Sequence, residues 1–212
     1  MSTSATAAFS RASQIHGDEI GYTDAVTTPT ATLTLDEFLA LPEEKPYREY
    51  LRGEVMEKPM ANDLHGSATA RLITEFCNYL DRTGEGVVRN EVRHAARAEE
   101  WVYLPDIHVR VGVGAELTPL LRGAVERPPD FAIEVLSPDD RPYRWIERVN
   151  LYMKSGTRLL WVVDPKAETI RVYRPGAQTR VRRAGDTLDA TPVLREFSLD
   201  VGRFFAKVHH RS

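Results

Sequence analysis

Residues 129–136 read Pro-Asp-Phe-Ala-Ile-Glu-Val-Leu, and this stretch decides the fold because it is a strand pattern with an acid at its centre. Successive side chains of a strand point to opposite faces of the sheet. The large apolar side chains therefore share one face, and Glu134 lies on the other face with Asp130. A buried carboxylate is costly unless it is paired with a cation or bound to a metal. The stretch predicts a buried strand that carries a functional acid.

A second acid occurs in the same kind of setting. Residues 101–109 read Trp-Val-Tyr-Leu-Pro-Asp-Ile-His-Val, and alternation in a strand from Trp101 to Val111 puts Asp106 on one face with His108. If this strand neighbours the first, Asp106 and Glu134 face each other, and a divalent cation would hold both ionised. Oxygen ligands of this kind suit Mg²⁺ or Mn²⁺. The alternative is that each acid pairs with an arginine.

Hydrophobic periodicity and turn residues predict the elements around these two strands. They are a helix over 35–41 capped by Thr34, a hairpin around Gly53, a helix over 64–80 capped by Asp63, a strand over 86–95, a helix over 142–155 capped by Asp139 or Asp140, strands at 159–163, 169–174 and 180–183, and an apolar segment at 201–205. This order predicts a single α/β domain over residues 32–206 with a mixed sheet. The Ser-, Thr- and Ala-rich residues 1–31 and the short segment 207–212 are expected to be tails.

Composition excludes several classes of protein. A formal net charge of −3 excludes a strongly basic protein that coats DNA without specificity. The lone Cys77 can form neither an internal disulfide nor a cysteine-based zinc site, and it favours a reducing cytoplasm. The longest apolar runs are too short to span a bilayer, and no secretory signal pattern is present, so no membrane association is expected.

A run of arginines without acids occupies residues 169–185. Its members are Arg171, Arg174, Arg180, Arg182 and Arg183. A basic hairpin beside an acidic pocket would hold DNA phosphates, and the alternative is an ordinary solvated hairpin face. The three tryptophans, Trp101, Trp145 and Trp161, stand in apolar patterns and are interpreted as core residues.

Further segments stand around the two acids in a recognisable order. They are Pro-Pro-Asp-Phe-Ala-Ile-Glu-Val-Leu-Ser-Pro at 128–138, Glu-Arg-Val-Asn-Leu-Tyr-Met-Lys-Ser-Gly at 147–156, Leu-Trp-Val-Val-Asp-Pro at 160–165, Glu49 with Gly53-Glu54, His65, and Pro105-Asp106. From about Thr34 to Phe205, the sequence closely resembles the Uma-two family of restriction endonucleases. The resemblance implies a restriction-endonuclease-like (PD-(D/E)xK) fold, a mixed central sheet flanked by helices, and metal-dependent hydrolysis of DNA phosphodiester bonds. A homodimer is expected from the resemblance alone.

The resemblance also implies roles for individual residues. Asp106 and Glu134 are the expected metal ligands, Glu49 is an additional catalytic carboxylate, and Asp130 is a supporting residue. His65, at a helix start, could contact a phosphate, position a carboxylate or simply pack within its helix.

The catalytic cation departs from the family pattern. The wider nuclease group has a lysine two residues after the glutamate, where this chain has Leu136. Family members often carry a Glu-Lys pair on the following helix, and the pair here is Glu147-Arg148. Arg148 could stabilise a charged transition state but is a poor base, and Lys154 lies six residues further along the helix. The alternative function is a weakened or inactive nuclease fold that binds nucleic acid or a partner.

Overall fold

The computed structural model describes residues 33–114, 123–137 and 142–210, with the side chains of 142–144 left aside. The helices are α1 (Leu35–Leu39), α2 (Asp63–Thr83), α3 (Pro142–Ser155) and α4 (Val201–Val208). The strands are β1 (Arg48–Leu51), β2 (Glu54–Glu57), β3 (Gly86–Asn90), β4 (His94–Ala96), β5 (Trp101–Tyr103), β6 (Ile107–Val111), β7 (Phe131–Val135), β8 (Leu159–Asp164), β9 (Thr169–Tyr173), β10 (Arg180–Arg182), β11 (Thr187–Ala190) and β12 (Leu194–Asp200). The predicted tail 1–31 and the predicted caps Asp139 and Asp140 lie outside the described residues.

The largest sheet has six strands in the order β10-β9-β8-β7-β6-β3. Strands β7 and β8 are parallel and the other pairs are antiparallel, so the sheet is mixed. One face carries the apolar side chains of β7, including Phe131 and Ile133, and packs against α2 and α4. Phe76 of α2 meets Phe131 edge to face at 5.4 Å between ring centroids. The predicted mixed sheet flanked by helices is confirmed.

The other face of this sheet is covered by α3 and β5. Ala132 of β7 packs there in one cluster with Tyr152 of α3 and with Trp101 and Tyr103 of β5. Alternation in β7 sends Glu134 to this same face. The acid thus lies between the large sheet and α3, next to this apolar and aromatic cluster.

A smaller sheet with the order β2-β1-β5-β4 stands beside the first. Its hairpin turns at Arg52 and Gly53, whose φ angles are 47° and 92°. Positive φ at both turn positions is the geometry that twists with the flanking strands, and glycine adopts it at low cost. Phe38 of α1 stacks on Tyr50 of β1 at 5.3 Å and fixes α1 against this sheet.

Two predicted long strands were wrong because each one is divided between the two sheets. The segment 86–95 forms β3 in the large sheet and then β4 in the small one. The segment 101–111 forms β5 in the small sheet and β6 in the large one, with Leu104–Asp106 as the connection. Asp106 is therefore not a strand residue, and alternation does not set its direction.

Smaller differences from the predicted elements concern the ends of the chain and one cap. The side chain of Asn62, rather than that of Asp63, caps α2 by accepting the N–H of His65 at 2.8 Å. The hairpin β11–β12 was not predicted, and the apolar segment at 201–205 is part of helix α4, which continues to the buried Val208. Within the described ranges, no helix has the length and apolar character needed to cross a membrane.

Candidate active site

Asp106 and Glu134 are brought side by side by the pairing of β6 with β7. The antiparallel register pairs Ile107 with Ile133. Asp106, which precedes Ile107, therefore lies next to Glu134, which follows Ile133. Both acids are buried, with 5% and 2% of their surface exposed. Oδ2 of Asp106 also accepts the backbone N–H of Val135 at 2.8 Å. The two acids therefore lie on neighbouring chain segments and line the same cavity.

Glu134 is held by donors from α3. Arg148 Nε lies 2.8 Å and Arg148 Nη2 lies 2.7 Å from Glu134 Oε1, and the hydroxyl of Tyr152 donates to the same oxygen. Burial raises the pKa of Glu134 to about 7, the charge of Arg148 opposes this rise, and the nearby charge of Asp106 adds to it. The ionised form of Glu134 is therefore disfavoured by burial and supported by Arg148.

Arg148 joins Glu134 to a third carboxylate, Glu49 of β1. Its Nη2 lies 2.9 Å from Glu49 Oε1, and that oxygen also accepts the N–H of Leu104 at 2.9 Å. Burial alone would raise the pKa of Glu49, but the charge and hydrogen bonds of Arg148, together with the N–H of Leu104, outweigh burial and lower the pKa. One guanidinium therefore connects the small sheet, the large sheet and α3, and it lines the same cavity as Asp106 and Glu134.

Asp106 has different partners from Glu134. Lys58 Nζ lies 2.8 Å from Asp106 Oδ1, and His65 Nε2 lies 3.1 Å from Oδ2. Burial raises the pKa of Asp106, but the hydrogen bond from His65 and the charge of Lys58 outweigh it, so the pKa is lowered. Burial lowers the pKa of Lys58, and the charges of Asp106 and Glu134 reverse that effect and raise it. Asp106 is therefore ionised beside a protonated lysine.

Lys58 is the residue that the sequence analysis missed. It follows β2, and its backbone N–H donates to the carbonyl of Tyr47 at 2.7 Å. This bond extends the hairpin by one residue pair. Glu49 pairs with Met56 in this hairpin, so alternation places Lys58 on the same face as Glu49. That alternation is the signal by which Lys58 could have been found from Glu49.

These side chains line a cavity of ≈ 450 Å³. Its charged walls comprise six acids, Glu49, Glu54, Glu57, Asp106, Glu134 and Glu147, against two permanent cations, Lys58 and Arg148, and His65. The cavity is therefore strongly negative for a site that would receive a phosphodiester. Such a site needs additional positive charge before an anion can enter.

Three residues that the sequence analysis considered lie elsewhere. Asp130 accepts the N–H of Val111 at 3.0 Å and pairs with Arg127 and Arg158, away from the cavity. Lys154 is two-thirds exposed and lies 3.8 Å from Glu99. His108 packs edge to face on His94 at 4.7 Å. The structure does not bring these side chains to Asp106 and Glu134.

The arginine-rich hairpin is divided between the two faces of the large sheet. Glu134 pairs with Val162, and Val162 pairs with Arg171, so these three side chains share a face. Arg180 and Arg182 pair with the two neighbours of Arg171 and lie on the opposite face. Of these three strand arginines, Arg171 is the one on the same face as the acids.

Two arginines of this run, Arg174 and Arg182, make ion pairs with acids that follow the hairpin in the chain. Arg174 pairs with Asp189 at 3.1 Å, and Arg182 lies 3.9 Å from Asp186. Arg183 is tied through its backbone N–H to Asp186. The proposed row of phosphate-binding arginines is therefore not one continuous surface.

The residues that line the cavity can be compared with the ligands that a metal ion needs. Among the residues with described side chains, no three His, Cys, Asp or Glu groups come together as a metal-binding cluster. Mg²⁺ commonly uses only one or two carboxylates and completes its shell with water and substrate phosphate. The two neighbouring carboxylates of Asp106 and Glu134 and the negative cavity would suit an ion of this kind.

The mixed sheet flanked by helices is that of a restriction-endonuclease-like fold. Residues 35–202 match the model of the Uma2 family, described as "Putative restriction endonuclease", and the chain belongs to this family. It is also similar to a solved structure from Anabaena variabilis, titled a "putative nuclease" of DUF820, with a TM-score of 0.75 and 26% identity over 83% of this chain and 99% of that one. No curated protein matches the sequence. The family and the structural match both support a nuclease function in general.

Proposed function

We propose that the protein is a metal-dependent DNA endonuclease and that phosphodiester hydrolysis takes place at Asp106 and Glu134. The observation that carries the proposal is the meeting of these two buried carboxylates across β6 and β7, with Lys58 and Arg148 on either side. Paired acids and cations in a cleft are typical of sites that handle charged transition states. Membership of the Uma2 family supports the same reaction class and DNA as the substrate.

The charge of the cavity supports Mg²⁺ or Mn²⁺ as the cofactor. Six acids and two permanent cations line the walls, so a phosphodiester would be repelled by the protein alone. Asp106 and Glu134 would hold the ion. When bound, it would stabilise negative charge on the phosphate and lower the pKa of the attacking water.

The protein's own cations have separate tasks in this proposal. Lys58 stays protonated beside Asp106 and donates a hydrogen bond to a phosphate oxygen, in place of the lysine that the family pattern would have put near Glu134. Arg148 is engaged by Glu49 and Glu134 through several bonds, so it orients Glu134 and balances charge rather than moving a proton.

One observation favours the alternative of a binding module without catalysis. Glu134 already has Arg148 as a partner, and Asp106 already has Lys58 and His65. A pocket whose acids are satisfied by internal cations can keep the fold without a metal. The two functions differ in whether a phosphodiester bond is broken.

The deciding experiment is incubation of supercoiled plasmid with the protein and Mg²⁺ or Mn²⁺. Wild type should nick the plasmid, and Asp106→Asn and Glu134→Gln should not. Glu75→Gln is the matched control, because Glu75 lies on α2 and pairs with Lys207. Nicking that persists in both site variants would identify a contaminant and end the claim. Plasmid binding without nicking by wild type would establish the binding module instead.

A further inference from the structure

A second cavity of ≈ 490 Å³ opens beside the carboxylate pocket. The two cavities share Ser137 and Trp145 in their walls, so they lie next to each other. The second cavity, called the side groove here, is lined further by Val162 of β8 and by Arg171 and Tyr173 of β9. Val162 and Arg171 share the sheet face of Glu134, so the side groove extends the site along that face.

The side groove offers aromatic surface from two residues that pack against the core but stay partly exposed, Trp145 and Tyr173. Trp101 and Trp161 are buried to 1% and 0% exposure, as predicted, whereas Trp145 and Tyr173 are only half-buried. Ile146 beside Trp145 is 69% exposed. The guanidinium of Arg148, which pairs with Glu134, lies 5.8 Å from the centroid of the Trp145 ring. Flat, accessible rings of this kind are platforms on which nucleobases stack.

The side groove also contains positive charge that the protein does not use. Lys166 and Arg171 both line it, and within the described part of the chain neither side chain makes an ion pair or hydrogen bond. The acid in its wall, Asp164, accepts the N–H of Ala167 at 2.8 Å. The groove thus combines stacking surface with two available cations, next to a pocket that is strongly acidic. This combination is complementary to a nucleotide, whose base is apolar on its faces and whose phosphate is anionic.

We propose that the side groove binds one unstacked nucleotide adjacent to the scissile phosphodiester, with its base against Trp145 and Tyr173 and its phosphate near Arg171 and Lys166. The proposal rests on the proposed nuclease function and specifies its substrate. A base inside a duplex is stacked on both faces and cannot enter the groove without being unpaired. The preferred substrate is therefore single-stranded DNA or DNA with an unpaired segment.

Trp145 provides a direct readout, because it is the tryptophan with accessible surface while Trp101 and Trp161 are buried. Single-stranded oligo(dT) and a duplex of the same length are titrated into the full chain with Ca²⁺ present, and a gel verifies that the DNA stays intact. We expect oligo(dT) to quench tryptophan emission and the duplex to do so weakly. Trp145→Phe should abolish most of the quenching and retain most of the affinity, whereas Trp145→Leu should weaken binding about tenfold.

Arg171→Ala tests the phosphate contact, with Arg180→Ala as its matched control. The two residues lie on adjacent strands and on opposite faces of the same sheet. Arg171→Ala should weaken oligo(dT) binding and flatten the logarithmic salt slope by about 0.7, the value for one phosphate contact on a single strand. Arg180→Ala should leave both quantities unchanged.

The proposal is overturned if the duplex binds as tightly as oligo(dT) with equal quenching, or if Arg171→Ala and Arg180→Ala behave alike. Failure of the nuclease function would look different, since wild type would bind oligo(dT) with quenching and cut no substrate. Failure of the side groove alone would leave plasmid nicking in place while the Trp145 variants bind oligo(dT) like wild type.

Discussion

The carboxylate of Asp106 accepts a 2.8 Å hydrogen bond from the backbone N–H of Val135, the residue that follows Glu134. The strand pairing between β6 and β7 ends just before this point, at Ile107 and Ile133. The side chain of Asp106 therefore takes up a backbone donor that would otherwise be buried without a partner. It also ties the loop acid to the strand that carries the other acid.

Removing this acceptor should destabilise the fold. Asp106→Ala leaves the N–H of Val135 and the ammonium of Lys58 buried without this acid, and we expect it to lower the free energy of unfolding by about 3 kcal/mol. Asp106→Asn keeps an oxygen for Val135 and should lose about half as much. Urea denaturation measures both values. Equal losses in the two variants would show that the bond to Val135 contributes nothing to stability.

Arg148 should not be replaceable by lysine. Its guanidinium contacts Glu49 and Glu134 at once, and an ammonium cannot reproduce both sets of bonds. We expect Arg148→Lys to cost about 2 kcal/mol of unfolding free energy and Arg148→Met to cost more, because two buried carboxylates then face each other unpaired. Arg52→Lys is the control, since Arg52 and its partner Glu147 are both 54% exposed. A change at Arg148 no larger than that at Arg52 would contradict the bridging role.

Replacing Lys58 should slow DNA cleavage. Lys58→Gln removes the cation at Asp106, and we expect the rate of plasmid nicking to fall by about 10²-fold or more, as for other donors to a developing negative charge. Lys58→Arg should recover part of the rate. Lys45→Gln serves as the control, because Lys45 is exposed and lies over the Tyr47 ring of the same segment. Nicking by Lys58→Gln at the rate of Lys45→Gln would remove Lys58 from the mechanism.

The buried His94 predicts an acid-sensitive fold. It is fully buried, stacks on Tyr103 at 5.4 Å, and places Nδ1 3.1 Å from the carbonyl of Arg127. Burial lowers the pKa of His94 from 6.5 to about 4, against the opposing bond to Arg127. Between these values the unfolded chain binds a proton that the folded chain does not, so stability present above 6.5 is lost as the pH falls toward 4.

The size of this effect can be measured by urea denaturation at two pH values. At about pH 5, His94 should contribute a loss of about 2 kcal/mol relative to about pH 7. His94→Phe keeps an aromatic ring against Tyr103 and should remove this part of the pH dependence, leaving the part due to the neighbouring His108, whose pKa is also lowered by burial. His210→Asn, at an exposed position, should leave it unchanged. An equally steep loss of stability in His94→Phe would assign the acid sensitivity to other groups.

The parts of the fold set by local pattern could be predicted from the sequence. Strand β7 is a short apolar run that contains a single acid, α3 has a regular apolar face, and Gly53 marks a tight hairpin turn, so each was located to within a few residues. The division of 101–111 between two sheets could not be predicted in the same way. Apolar residues continue on both sides of Pro105, and which sheet each half joins depends on partners distant in sequence.

The candidate site could likewise be predicted only where its residues stand out in the local sequence. Glu134 stood out because an acid in an apolar strand is unusual, and its partner Arg148 lies on the next helix along the chain. Lys58 and Asp106 are far apart in sequence, and their contact exists only once the hairpin of the small sheet docks beside the large one. Trp145 was placed in the core because periodicity identifies the apolar side of α3 but not where that side ends.

The connection Leu104–Asp106 by which the chain leaves one sheet and enters the other is short, and it is held at both ends. Leu104 donates its N–H to Glu49, and Asp106 accepts from Val135. The distance between the carboxylates of Asp106 and Glu134 therefore depends on the number of residues in this connection as well as on the residue types. An inserted glycine here would displace the carboxylate of Asp106 relative to that of Glu134 while both sheets stayed paired, which would yield a folded protein whose two acids no longer line up.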